Sequence, residues 1–125
     1  MIFTQSAAIS IPVRNFDKCL EFYSVALGIP VATVFEDKTV ALLRISYDMD
    51  LWLVAERAFN QKLRAGNDAG PVFAVASLEQ VVNTLAGKGI KPTGGLVTWQ
   101  DGSQHVTYRD PDGNLLTMFE KARRR

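Results

Sequence analysis

This sequence predicts an α+β fold of two βαβββ modules, and three observations predict it. Several short stretches alternate apolar and polar residues with the period of a half-buried strand. Two other stretches carry an apolar stripe at helical spacing, each entered through a capping residue and left near a glycine. The order of elements in the first half then recurs in the second. At 125 residues the chain is one compact unit by length, large enough to bury a core without disulfides.

Residues 6–13 place Ile9, Ile11 and Val13 on one face and Ser6, Ala8 and Ser10 on the other, a half-buried strand. Asn15 is a candidate N-cap for a helix from Phe16 to Leu27. Cys19, Phe22, Tyr23, Ala26 and Leu27 recur at helical spacing and form the stripe that faces a sheet. Gly28 is the stop, and Pro30 keeps the chain from resuming helix. Strands are expected near 31–36, 39–46 and 49–55, with turns at Asp37-Lys38 and Tyr47-Asp48. Glu56 to Ala69 reads as a short polar helix and loop.

Then the pattern restarts. With Val13 set on Val75, Ala8 falls on Gly70, Asn15 on Ser77 and Phe16 on Leu78. Ser77 with Gln80 makes a capping box, and Leu78, Val81, Val82 and Leu85 supply the inward stripe. Gly89-Ile90 echoes Gly28-Ile29, and strands are expected near 94–99, 103–109 and 114–120 around an Asp101-Gly102 turn. Module one is thus placed at 6–56, a linker at 57–69 and module two at 70–121.

A net charge of +1 points to neither nucleic acid nor an anionic membrane. Apolar residues at 47% and charged residues at 22% are ordinary globular composition rather than disorder. The single cysteine, Cys19, excludes an internal disulfide and reads as a small buried hydrophobe. The basic end, Lys121 to Arg125, reads as a solvated tail. No apolar run reaches the ~20 residues of a membrane helix. Met1 to Gln5 shows no signal-peptide pattern, so a cytoplasmic location is expected.

The last hairpin contains Asp110-Pro111-Asp112-Gly113-Asn114, explicit turn chemistry with Pro111 pre-setting φ and Gly113 free to take φ > 0. Together with Ile11-Pro12-Val13-Arg14-Asn15-Phe16-Asp17, Phe22-Tyr23 and Leu27-Gly28, this resembles the vicinal-oxygen-chelate superfamily of glyoxalase I, extradiol dioxygenases and bleomycin-resistance proteins. The resemblance spans about residues 6 to 121, in the expected order and spacing. It implies curved mixed sheets facing a shared cavity with helices outside. The cavity is closed either within one chain or across a homodimer.

Metal-dependent members carry His, Gln or Glu on the first and last strand of each module. Carried onto this chain, those positions are Ala8, Trp52, Gly70 and Thr117, none of which ligates a divalent ion. No metal or other cofactor is therefore expected. The lone histidine, His105, falls outside these positions. A carboxylate site using Asp50, Glu56 or Glu120 is disfavoured, because Glu120 points opposite to Thr117 and Glu56 lies at a strand end.

The expected cavity face then reads as a binding surface. Trp52 suits stacking on a planar or cationic guest, Trp99 lies at the rim, and Phe119 shares a face with Thr117. Phe35 ends the second strand. His105 is a candidate acid–base group with no partner legible from spacing, so a surface strand histidine is the plainer reading. Ser6, Ser10, Thr107 and Thr117 add hydroxyls without a nucleophile-and-base pair. Three functions follow in order: a metal-free binder of a small planar or aromatic molecule, a divalent-metal-dependent lyase, isomerase or dioxygenase of the same superfamily, and a protein-interaction module. The strongly acidic character of the bleomycin binders is missing.

Overall fold

The computed structural model describes residues 7–58, 64–66, 68 and 70–122. The chain divides into two compact units, Met1–Gly66 and Asn67–Arg125. Each unit carries one four-stranded mixed sheet, in the order β1-β4-β3-β2 in the first and β5-β8-β7-β6 in the second.

In the first unit β1 (Ala7–Val13) leads into α1 (Phe16–Glu21), then β2 (Val31–Val34), β3 (Val40–Ser46) and β4 (Met49–Ala55). Asn15 Oδ1 accepts from the Lys18 N–H at 3.2 Å, satisfying one of the donors that every helix start leaves over. β1 runs parallel to β4 because α1 carries the chain across the sheet between them, whereas the tight β3–β4 turn forces an antiparallel pair. Alternation puts Ile11, Val13, Leu43, Leu51 and Leu53 on the face that meets Cys19, Phe22 and Tyr23, and all are buried. Each such large side chain taken out of water stabilises the fold by about 1.5–3 kcal/mol.

The second unit repeats the plan with β5 (Val72–Ala74), α2 (Leu78–Gly87), β6 (Val97–Thr98), β7 (Gln104–Arg109) and β8 (Leu115–Glu120). Ser77 Oγ accepts from the Gln80 N–H at 3.2 Å, and Glu120 Oε1 accepts from the Leu78 N–H at 2.7 Å. A carboxylate from the last strand thus sits on the positive end of α2 and ties the helix to its sheet. Leu78, Leu85, Val106, Tyr108, Leu116 and Met118 form the buried side. Tyr108 Oη has no hydrogen-bond partner among the described residues, and burial pushes its ionisation up.

Both units use one hairpin device. Asp37 Oδ1 accepts from the Thr39 hydroxyl at 2.6 Å and its N–H at 3.1 Å. Asp101 accepts from the Ser103 N–H at 2.9 Å and its hydroxyl at 3.0 Å. These bonds hold both carboxyls below their ordinary range. Lys38 and Gly102 take φ of 56° and 88° after the turns.

The structure departs from the sequence expectations at three places. The helix expected over Phe16 to Leu27 is α-helical only to Glu21 and winds as a π-helix over Phe22–Ala26. Ser24 Oγ donates to Leu20 O at 2.6 Å, competing for a carbonyl of the helical ladder, and Leu27 N bonds Phe22 O instead. The strand expected over 31–36 stops at Val34, because Phe35 opens a turn closed by Lys38 N–H to Phe35 O. The strand expected over 94–99 shortens to Val97–Thr98, since Thr93 is bonded out of register to Thr107 O. The polar helix read within Glu56 to Ala69 and the tail end Arg123 to Arg125 fall partly or wholly outside the described residues. Among those described, no helix is long and apolar enough to cross a membrane.

One carboxylate secures the exit of the first unit's sheet. Glu56 takes Arg14 Nε at 3.1 Å and the Ala65 N–H at 2.5 Å, and the Arg14 bond, then the Ala65 bond, hold its pKa below the ordinary 4.5. A depressed folded pKa contributes stability that is present above the ordinary glutamate range and lost as pH falls through the folded value. Glu56→Gln is therefore expected to lower stability at pH 7 and to converge with the parent in acid, as urea midpoints at stepped pH would show. A gap that stays constant down to pH ~2 contradicts the linkage.

Candidate functional site

The residues that point away from each helix form the sheet face that its helix does not cover, and the strand registers say which side chains share it. In the first unit Ser10 pairs with Trp52, Ala8 with Asp50, Leu42 with Trp52 and Arg44 with Asp50, so all six lie on one face. Trp52 is 42% exposed there, an unusual place for an indole unless something covers it. Arg44 Nε meets Asp50 Oδ1 at 2.5 Å across the strands, and both side chains stay partly in water. Ala7, Ala8, Ser10, Asp50 and Trp52 line a hollow of about 400 Å³. The Arg44–Asp50 pair did not emerge from the sequence reading. Its signal was present in strand alternation, which sets both residues in phase with Trp52.

In the second unit Phe119 pairs with His105 and Thr117 with both Thr107 and Val72. Phe119 and Thr117 therefore share a face, and Glu120 lies on the other. Trp99 leaves β6 at the turn closed by Gly102 N–H to Trp99 O, and its ring folds back over this face. Its centroid lies 4.9 Å from Phe119 and 5.8 Å from His105, edge-on to the imidazole. Trp99 Nε1 donates to His105 Nδ1 at 2.7 Å. Beside them Thr93 Oγ1 and Thr107 Oγ1 are 2.7 Å apart. Of the six candidate binding residues, Trp99, His105 and Phe119 are in mutual contact, with Thr117 next on the same strand. Trp52 lies on the first unit's sheet, and Phe35 opens the turn that follows β2. Phe35 N donates to Val40 O at 2.9 Å, which sets it opposite Val40 on the face of Leu42.

A further hollow of about 460 Å³ lies on the helix side of the second sheet, lined by Leu78, Val82, Leu96 and Val106 among others, and holds none of these six residues.

The donor set for a divalent ion does not fit at the family positions. Ala8 and Gly70 have no donor atom, Trp52 offers only an N–H, and Thr117 one neutral hydroxyl. Gly70 cannot carry a ligating side chain on this backbone: a Cβ there would lie 1.5 Å from Leu115 O. Among the described residues no three of His, Cys, Asp and Glu come together in a metal-holding group.

Known structures share the architecture. A member of the glyoxalase/bleomycin resistance protein/dioxygenase superfamily from Sphaerobacter thermophilus is similar at TM-score 0.83 and 18% identity, over 97% of this chain and all (100%) of that one. An antibiotic-binding protein from Streptomyces sp. CB03234 is similar at TM-score 0.80 and 18% identity, over 98% and 99%. A lactoylglutathione lyase from Agrobacterium tumefaciens is similar at TM-score 0.71 and 17% identity, over 91% of each chain. At these identities the likeness shows the fold alone. No curated protein sequence matches the chain. The family model described as Glyoxalase/Bleomycin resistance protein/Dioxygenase superfamily matches residues 5–118, nearly the whole length. With that match and the paired βαβββ units, this chain belongs to the glyoxalase/bleomycin resistance protein/dioxygenase superfamily.

Proposed function

We propose that the protein binds a small planar aromatic molecule on the sheet face of the second unit that its helix leaves open, without a metal ion. The observation that carries this is the ring cluster of Trp99, His105 and Phe119, on a face its own helix leaves open. Exposed aromatic surface beside a few directed polar atoms is the usual make-up of a small-molecule site. Trp52, beside the Arg44–Asp50 pair, is the corresponding stacking residue on the first unit's own face, with Phe35 at its margin, and Thr117 lies at the margin of the second unit's ring cluster. The fold houses both an antibiotic-binding protein and a lyase, so it does not choose between binding and catalysis. Donor chemistry favours binding, because a lyase or dioxygenase of this superfamily needs ligands where this chain has Ala8, Trp52, Gly70 and Thr117.

The test is a thermal-shift screen with uncharged planar aromatics, since a guest that binds only the folded form raises the melting temperature. Trp99→Ala is expected to weaken a guest held on the second unit, and Trp52→Ala one held on the first, by about 2 kcal/mol, the scale of a buried aromatic anchor. Full response in both variants removes the tryptophans from the site. A stoichiometric divalent ion in the purified protein would instead restore the enzyme reading.

A further inference from the structure

Resting on that binding reading, we infer that the guest is selected through one atom: His105 presents Nε2–H on the open face of the second sheet. The guest it recognises is then a planar aromatic carrying a neutral hydrogen-bond acceptor at its edge, a ring nitrogen or a carbonyl oxygen.

The argument starts from the indole. Trp99 Nε1 is a donor and nothing else, and it lies 2.7 Å from His105 Nδ1. Nδ1 must therefore supply a lone pair, and a neutral imidazole whose Nδ1 accepts carries its proton on Nε2. Two restraints fix the ring: the hydrogen bond itself and the edge-on contact with Trp99, which in turn leans on Phe119. Trp99 is thus a positioning residue for His105. The Nε2–H makes no hydrogen bond among the described residues. Its ring is flanked across the strands by Val97 and Phe119, both apolar.

A directed donor framed by apolar side chains recognises an acceptor set in an aromatic body. The charge on this face argues for a neutral acceptor rather than a carboxylate. Arg109, which shares the face, is held by Asp68 Oδ1 at 2.6 Å and Gly113 O at 2.9 Å. An anionic guest would compete with those contacts for Arg109. Beyond the ring cluster, Thr107 and Thr117 pair across β7 and β8, giving the acceptor-bearing edge a polar neighbour.

His105 is the sole histidine of the chain, so one imidazole contributes to the nitrogen spectrum of the labelled protein. Two-bond nitrogen–proton correlation is expected to show Nδ1 as the unprotonated nitrogen and Nε2 as the protonated one at pH 8. Trp99→Phe keeps a ring but removes the indole N–H, and is expected to shift the signal toward a tautomer mixture. Binding is then compared for quinoline and naphthalene, the same bicyclic shape with and without an edge acceptor. Quinoline is expected to bind about tenfold tighter, the size of one net hydrogen bond, and His105→Phe to bring the ratio to about one. A protonated Nδ1, equal affinities, or a preference that survives His105→Phe overturns the assignment of the donor. If neither compound binds, the aromatic-guest reading itself fails and takes this inference with it. Equal binding of both sinks only the donor.

Discussion

Asp110→Ala is expected to cost about 3 kcal/mol or more of folding stability, the largest loss from any single side chain in the last hairpin. The carboxylate accepts three hydrogen bonds inside the turn it opens. Oδ1 takes the Asp112 and Asn114 N–H groups, each at 2.9 Å, and Oδ2 takes Asn114 Nδ2 at 2.9 Å. Asp110 is 5% exposed and Asn114 2%, so water does not reach in to replace the lost acceptor. The turn is also where β7 hands over to β8, whose ladder carries Phe119 opposite His105 and Thr117 opposite Thr107. Alanine therefore loosens the register of the candidate site along with the hairpin. Asp110→Asn keeps one oxygen but turns an amide donor toward Asn114 Nδ2, and is expected to fall between parent and alanine variant. Urea denaturation measures both, with a melting-temperature loss on the order of 10 °C for alanine. A loss below ~1 kcal/mol would mean that the backbone and Pro111 alone close the turn.

Gly70→Ala should be nearly as damaging, for a steric reason. A Cβ built at residue 70 lies 1.5 Å from Leu115 O and 2.7 Å from Leu115 C, well inside any tolerable contact. The obstruction is backbone at the first residue of β8, so no rotamer change relieves it. Nor can the segment slide away freely, because the next residue's carbonyl, Pro71 O, accepts from the Thr117 N–H at 2.9 Å. Relief requires β5 and β8 to part, at a cost of about 3 kcal/mol, the upper range for forced overpacking. The consequence reaches function. Gly70 is one of the positions that the resemblance assigns to a metal ligand, and a histidine placed there would collide with β8. A Gly70→Ala variant with an unchanged melting temperature would mean that β5 and β8 part there at little cost.

Most of the fold is legible in the sequence wherever a feature depends on residues close in the chain. Asn15 and Ser77 cap helices because a short polar side chain reaches an N–H three residues on. Gly28, Gly89 and Gly113 take φ of 72°, 77° and 82° because helix ends and this turn need a left-handed residue. Strand faces followed from alternation, which correctly set Phe119 with Thr117 and Glu120 against them. Two of the boundaries that differ follow from local bonds competing with the expected ladder, Ser24 Oγ to Leu20 O and Lys38 N–H to Phe35 O, and the third follows from a more distant partner. The strand after Gly94 is short because Thr93 is tied to Thr107, a residue far along the chain.

By itself, then, the sequence determined two repeated βαβββ units, their caps and turns, and the superfamily they belong to. Those features are set by local sterics, periodicity and residue chemistry, all of which are written in consecutive letters. Only the tertiary structure decided that Trp99 turns back onto His105 and Phe119, that Arg44 meets Asp50 beside Trp52, and that Glu120 crowns α2. Each of these depends on which residue lies opposite which across a hydrogen-bonded ladder. That register is chosen by the packing of each whole sheet against its helix, and no short window of sequence contains it.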